Sequence, residues 1–126
     1  MSAAEQQLDS LRLRYPGATL RQLPSGAELV TLPGVALQEG WSLRGTALRF
    51  LAPAGYPYAA PDCFWADEPL RLANGLMPQN SAVTPVPETA ESGLWFSWHL
   101  SHPWNAGTHT LSTWTACMLD RLWPAR

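Results

Sequence analysis

The run Trp95-Phe96-Ser97-Trp98-His99-Leu100 brings a hydroxyl and an imidazole within two residues of each other. If this segment is extended, its side chains alternate between two faces. Trp95, Ser97 and His99 then share one face, and Phe96, Trp98 and Leu100 share the other. The second set is apolar throughout and is expected to face the core, which sends Ser97 and His99 outward together. A serine hydroxyl is a weak nucleophile until a neighbouring base removes its proton, and imidazole, which titrates near neutral pH, is the usual base. The chemistry this pairing suggests is nucleophilic attack by Ser97 with His99 as general base. Taken singly, either residue is more often a surface group than a catalyst.

The remaining reactive side chains point to less. His99, His102 and His109 include an H-x-x-H spacing. That spacing lacks the one-face helical geometry of a zinc-binding H-E-x-x-H and has no evident third ligand, so no metal and no cofactor are expected. His102-Pro103 is expected to shape the turn into Trp104. Cys63 and Cys117 lie far apart, form no C-x-x-C ladder, and read as small buried hydrophobes.

Composition narrows the class further. At 126 residues, the chain has the length of one domain, residues 1–126. Seven tryptophans against 14% charged residues argue for a packed interior rather than disorder. A net charge of −2 offers no basic face for nucleic acid. The opening MSAAEQQLDSL lacks the basic and apolar regions of a secretory leader, and no apolar run approaches the length of a membrane helix. A soluble cytoplasmic protein is the expectation. All basic residues are arginine; this fits an arginine-favouring genome, and equally a protein with no lysine amine to trap an activated carboxyl group.

These residues need elements to position them. Ser2 and Glu5 form a capping-box pattern, Leu8, Leu11 and Tyr15 follow at one-face helical spacing, and Pro16-Gly17 stops the run, which predicts a helix over 3–15. From Ala18 the period shortens. ATLRQL, AELVTL, GVALQ and WSLRGTALRFLAP, separated by Pro24-Ser25-Gly26, Pro33-Gly34 and Glu39-Gly40, read as a four-stranded antiparallel meander, with CFW as a short final strand. Residues 68–92 carry four prolines and few apolar anchors and read as a long irregular loop. Leu111, Trp114, Met118 and Leu122 share one face of a closing helix, with Thr108 or Asn105 set to cap it.

Two motifs in this order carry a resemblance. Tyr56-Pro57-Tyr58-Ala59-Ala60-Pro61, following two strands, resembles the Tyr-Pro-Phe-x-x-Pro-Pro signature of ubiquitin-conjugating enzymes. Trp104-Asn105-Ala106-Gly107, leading into a helix, resembles that family's Trp-x-Pro-Ala segment. The resemblance runs over roughly residues 3 to 123 and is nearest to divergent prokaryotic members that lack the last two helices of the eukaryotic enzymes. It implies an α+β fold of the UBC type, with an N-terminal helix, a four-stranded antiparallel meander, a long active-site loop and a C-terminal helix. It also implies an acyltransferase that takes a ubiquitin-like protein from an ATP-dependent activating enzyme and passes it to an amine on a target protein. Tyr56, Pro57, Pro61 and Trp104 would then be structural residues near the site. Counting back from Trp104 to the family's acceptor position reaches Phe96 and Ser97, where no cysteine stands, so the thioester would be replaced by a serine oxyester on Ser97. The family's His-Pro-Asn triplet is missing from its usual position, and Asn80, in MPQNS, is the nearest candidate for supporting the oxyanion or the loop. The alternative is a catalytically inactive variant that only binds a ubiquitin-like protein or an activating enzyme.

Because both cysteines fall outside the acceptor segment, Cys63→Ser and Cys117→Ser proteins are expected to retain conjugation. Loss of activity in a Cys63→Ser protein that remains folded would return the chemistry to a thioester.

Overall fold

The computed structural model describes residues 1–126. Helix α1 spans Ala3–Arg14 and begins where the Ser2 hydroxyl accepts the Glu5 N–H at 3.0 Å. Its buried residues, Ala4, Leu8 and Leu11, recur at the spacing of one helical face. The strands follow as β1 (Thr19–Gln22), β2 (Glu28–Ala36), β3 (Gly45–Ala52), β4 (Phe64–Ala66), β5 (Ser81–Pro85) and β6 (Ser92–Phe96), and α2 (Leu111–Leu122) closes the chain. All strand pairs are antiparallel, in the order β1-β2-β3-β4-β6-β5. No helix is long and apolar enough to cross a membrane.

The α+β class expected from the pattern is present, but with six strands rather than four. AELVTL and GVALQ are not two strands. They form one strand, β2, whose register slips between Leu32 and Val35. Pro33-Gly34 makes a bulge there instead of a turn, with Gly34 at φ +65°, a conformation glycine adopts without steric penalty. The expected long loop over 68–92 contains β5, and the chain from β5 to β6 is a hairpin. The CFW strand exists as β4, but it is interior to the sheet rather than last, flanked by β3 and β6.

One face of the sheet makes the main core. Val30 and Leu32 from β2, Leu48, Phe50 and Ala52 from β3, Phe64 and Ala66 from β4, and Leu94 and Phe96 from β6 all point toward the two helices. There they meet Leu8 and Leu11 of α1 and Leu111, Trp114, Met118 and Leu122 of α2. The face assigned to the closing helix by spacing is therefore the buried one. Its cap differs: Thr110, not Thr108 or Asn105, caps α2, forming a reciprocal box with Thr113. Asn105 is occupied earlier, accepting the Thr108 and His109 N–H groups in a turn of its own.

The other sheet face carries a smaller apolar cluster of Leu23, Ala27, Leu29, Trp65 and Val86. The β1–β2 and β5–β6 hairpins meet beside it, although β1 and β5 are opposite edges of the sheet. Glu88 accepts from the Ser25 backbone N–H at 2.8 Å and from its hydroxyl at 2.5 Å, and Arg21 pairs with Glu91 at 3.6 Å.

Trp114 is fully buried and tilts against Phe50 at 6.5 Å between ring centroids. Trp114→Ala should cost about 3–5 kcal/mol of stability, the range for deleting a large core aromatic, read as a lower urea midpoint. Trp114→Phe should lose less, because the indole N–H has no hydrogen-bond partner to leave behind.

Candidate functional site

The polar residues singled out by spacing converge on the end of β6. Phe96 is the last strand residue and is fully buried, so the alternation turns Ser97 outward, where it is exposed. The Ser97 N–H donates to the Asn80 carbonyl at 2.9 Å, extending the β5–β6 ladder by one pair beyond Ser81↔Phe96. Asn80 and Ser97 are 17 residues apart in sequence, yet the hairpin makes them direct neighbours. The backbone bond sets the two residues side by side at the open end of the hairpin. Both residues are exposed.

The backbone around Ser97 is unusual on both sides. Asn80 has φ +56° and Cys63 has φ +53°, two of only three non-glycine residues with positive φ in the chain. Cys63 donates its N–H to the Trp98 carbonyl at 2.9 Å. The Ser97-Trp98 unit is thus held between two left-handed residues. Asparagine tolerates this region, whereas a cysteine held there stores strain of roughly 1–3 kcal/mol.

His99 lies beyond the strand end, yet the burial alternation reaches it, since Trp98 and Leu100 pack against the main core. It is exposed, and no hydrogen bond joins its ring to the Ser97 hydroxyl. Instead His99, Leu100 and His102 are shared by two neighbouring hollows. One, of about 350 Å³, is completed by Ser101, Cys117 and Asp120 among others. The other, of about 230 Å³, includes Pro61, Asp62 and Trp104. Ser97 lines neither. The largest hollow, about 660 Å³, is elsewhere, between Tyr15, Leu37, Leu119 and Trp123, and contains none of the candidate site residues.

The structural residues named by resemblance are brought together. Tyr56-Pro57 is a cis peptide, and the Trp104 indole N–H donates to the Pro57 carbonyl at 2.7 Å. The Tyr56 and Trp104 rings lie 6.0 Å apart, and Pro61 is buried. The Tyr56 hydroxyl donates to Gln7 Oε1, which also accepts the Leu111 N–H at 2.9 Å. Gln7 therefore joins α1, the Tyr-Pro turn and the first residue of α2. His109 Nδ1 accepts the Asn105 N–H at 2.9 Å, so in the neutral ring the proton sits on Nε2. Its ring meets those of His102 and Trp104 edge-on at 5.3 Å and 5.2 Å. No three His, Cys, Asp or Glu residues are gathered so as to hold a metal ion.

Neither thiol is poised to react. Burial raises the Cys63 pKa, with the Trp95 contact opposing and Asp62 adding to it. Burial, reinforced by Asp120, pushes Cys117 up to about 11. Both stay protonated at neutral pH, and the thiolate is the reactive form.

Two participants went unnoticed in the sequence. Gln7 carries no signal there. Arg121 does, since it lies three residues after Met118 on the apolar face of α2, and it is 98% buried (2% exposed). Burial, with Arg126 nearby, lowers its pKa to about 10, which leaves it charged at neutral pH.

Comparison with protein-family models, with curated proteins and with solved structures gives no match.

The Tyr56 contact makes a pH prediction. Burial lifts its pKa from 10.0 to about 12, partly offset by the Gln7 bond. The folded state therefore holds this proton more tightly than the unfolded state, so the contribution is complete below pH 10 and is lost as pH rises toward 12. The unfolding midpoint of the native protein, measured relative to Tyr56→Phe, should fall across that window. Titrations common to both proteins cancel in the difference, and a constant difference would contradict the assignment.

Proposed function

We propose that the chain is a UBC-like conjugating protein of the cytoplasm, which accepts a ubiquitin-like protein as an oxyester on Ser97 and passes it to an amine. The observation that carries this reading is the Ser97–Asn80 pair, joined at 2.9 Å, with both residues exposed. The family's acceptor position and an amide able to support an oxyanion are adjacent despite their separation in sequence. The Trp104–Pro57 bond adds support, because the two motifs that carry the resemblance touch.

The chemistry divides into two acyl transfers. An ATP-dependent activating enzyme presents the ubiquitin-like C-terminus as an activated carbonyl. Ser97 Oγ attacks it while His99 takes the hydroxyl proton, and the Asn80 amide donates to the developing oxyanion. Collapse expels the activating enzyme's leaving group and leaves an ester. An amine of the target then attacks that ester, Ser97 departs with a proton returned to its oxygen, and an amide remains. His99 must swing toward Ser97 for this, and catalytic hydrogen bonds often tighten only in the reacting complex.

A second reading is favoured by one specific observation. Ser97 has no hydrogen bond to His99 and lies outside both hollows that His99 lines. A binding-only variant, which docks a ubiquitin-like protein or an activating enzyme without forming a covalent bond, would have this geometry.

Reconstitution with a ubiquitin-like protein, its activating enzyme and ATP, followed by intact-mass measurement, separates the two. The expected adduct survives a reducing thiol but is released by hydroxylamine. Ser97→Ala should abolish it without unfolding the domain, and Ser97→Cys should make it thiol-sensitive. His99→Ala should slow its formation about 10²- to 10⁴-fold, and Asn80→Ala about 10²- to 10³-fold. An adduct that persists in Ser97→Ala would sink the assignment. Binding without any adduct would establish the second reading.

A further inference from the structure

We infer that Arg121 is the positioning residue that holds Asn80 and Ser97 opposite one another, gripping the neighbours of both from the helix side of the sheet. Its catalytic consequence rests on the oxyester reading above; its geometry does not. Arg121 Nη2 donates to the Gln79 carbonyl at 2.7 Å and to the Arg126 carbonyl at 2.9 Å. The guanidinium lies 4.8 Å from the centroid of the Phe96 ring and 5.7 Å from that of Trp98. Gln79 immediately precedes Asn80, and Phe96 and Trp98 flank Ser97. One planar cation thus clamps the entry to β5 and the exit from β6, while the Ser97 N–H and the Asn80 carbonyl close the pair above it.

The fold alone does not explain an arginine at this position. No aspartate or glutamate pairs with it, since the chain's side-chain ion pairs are Arg12–Asp9, Arg21–Glu91 and Arg49–Asp67. Its Nη1 is buried without a hydrogen-bond partner. Burying a charge carries a desolvation cost of several kcal/mol, which an apolar residue of similar size would avoid. Methionine would fill the helix face between Met118 and Leu122. What it could not do is bind a carbonyl and two ring faces at once, which requires a delocalised planar cation with several donors. Lysine keeps the charge but offers no planar fork.

Amide hydrogen exchange followed by NMR, together with urea unfolding, tests this on the full chain, Arg121→Met and Arg121→Lys. In Arg121→Met the urea midpoint should hold or rise, because a buried charge is removed. The Ser97 amide should nonetheless exchange about tenfold faster or more, while the Leu48 and Phe50 amides keep their protection. Arg121→Lys should fall between the two. In the reconstituted reaction, adduct formation should decline in the same order, with binding of the ubiquitin-like protein unchanged. If the native chain forms no adduct, the oxyester reading fails while the exchange comparison still decides the role of Arg121. Unchanged Ser97 exchange in Arg121→Met would overturn the inference, as would a loss of protection shared equally by the core amides. Should Arg121→Met fail to fold, Arg121→Lys supports the same comparison, and native-like Ser97 protection in it would refute the need for the planar fork.

Discussion

The inward seating of Phe96 is the constraint on which the site depends. Its ring stacks on Phe64 at 4.9 Å, meets the edge of Trp41 at 6.3 Å, and lies against the Arg121 guanidinium. Because strand side chains alternate, fixing Phe96 toward the helices fixes Trp95 and Ser97 toward the opposite side. A slip of one residue would bury Ser97 and expose the phenylalanine, exchanging several kcal/mol of favourable burial for an unpaired hydroxyl. The same parity runs through β4, where Phe64 and Ala66 face inward and Trp65 outward. β6 lies between β4 and β5, so its register is set from both sides.

A second level of organisation joins elements that are distant in sequence. The oxygen of Gln7 accepts from both Tyr56 and Leu111, connecting the first helix, the Tyr-Pro turn and the start of the last helix. Trp104 then binds Pro57, so the loop entering α2 is anchored to the turn leaving β3. At the far end of α2, the Trp41 indole N–H donates to the Leu122 carbonyl at 2.8 Å, satisfying a group the helix itself cannot. These bonds leave the segment from Ser97 to Trp104 spanning two rigid anchors, the end of β6 and the Tyr-Pro turn. His99 lies on that span, between Trp98 and Leu100, which pack against the core.

How far the sequence could be read follows from which signals were strong. The apolar face of α2 was legible because Leu111, Trp114, Met118 and Leu122 obey helical spacing without interruption. The strand in WSLRGTALRFLAP was legible because β3 has one core face, with buried and half-buried residues alternating along it. β5 was not, because it is an edge strand with no buried residue on either face, so no period appears, and Pro78, Pro85 and Pro87 look like loop punctuation. Missing β5 hid the Asn80–Ser97 pair, since only the hairpin brings the two together. Pro33-Gly34 was misleading for the opposite reason: a strong turn signal marks a bulge when the strands on either side are both held by β3. The outward side of Ser97 and His99 was legible because Phe96, Trp98 and Leu100 all pack toward the core, even though the paired strand ends at Phe96.

The distribution of unfavourable features bears on what the site is for. Cys63 is held at positive φ without the freedom of glycine, and Arg121 is buried with no aspartate or glutamate paired to it. Each lowers stability, and both lie against the short run from Phe96 to Trp98. Two further exceptions lie elsewhere: Glu88 at φ +61° in the β5–β6 turn, and the buried Trp114 indole N–H, which has no partner. Asn80 illustrates the difference between shape and chemistry. Glycine would serve its left-handed turn at least as well, but it would leave no amide beside Ser97. Asparagine is also one of the few non-glycine residues that tolerate this conformation, so the left-handed turn and an amide at this position are compatible.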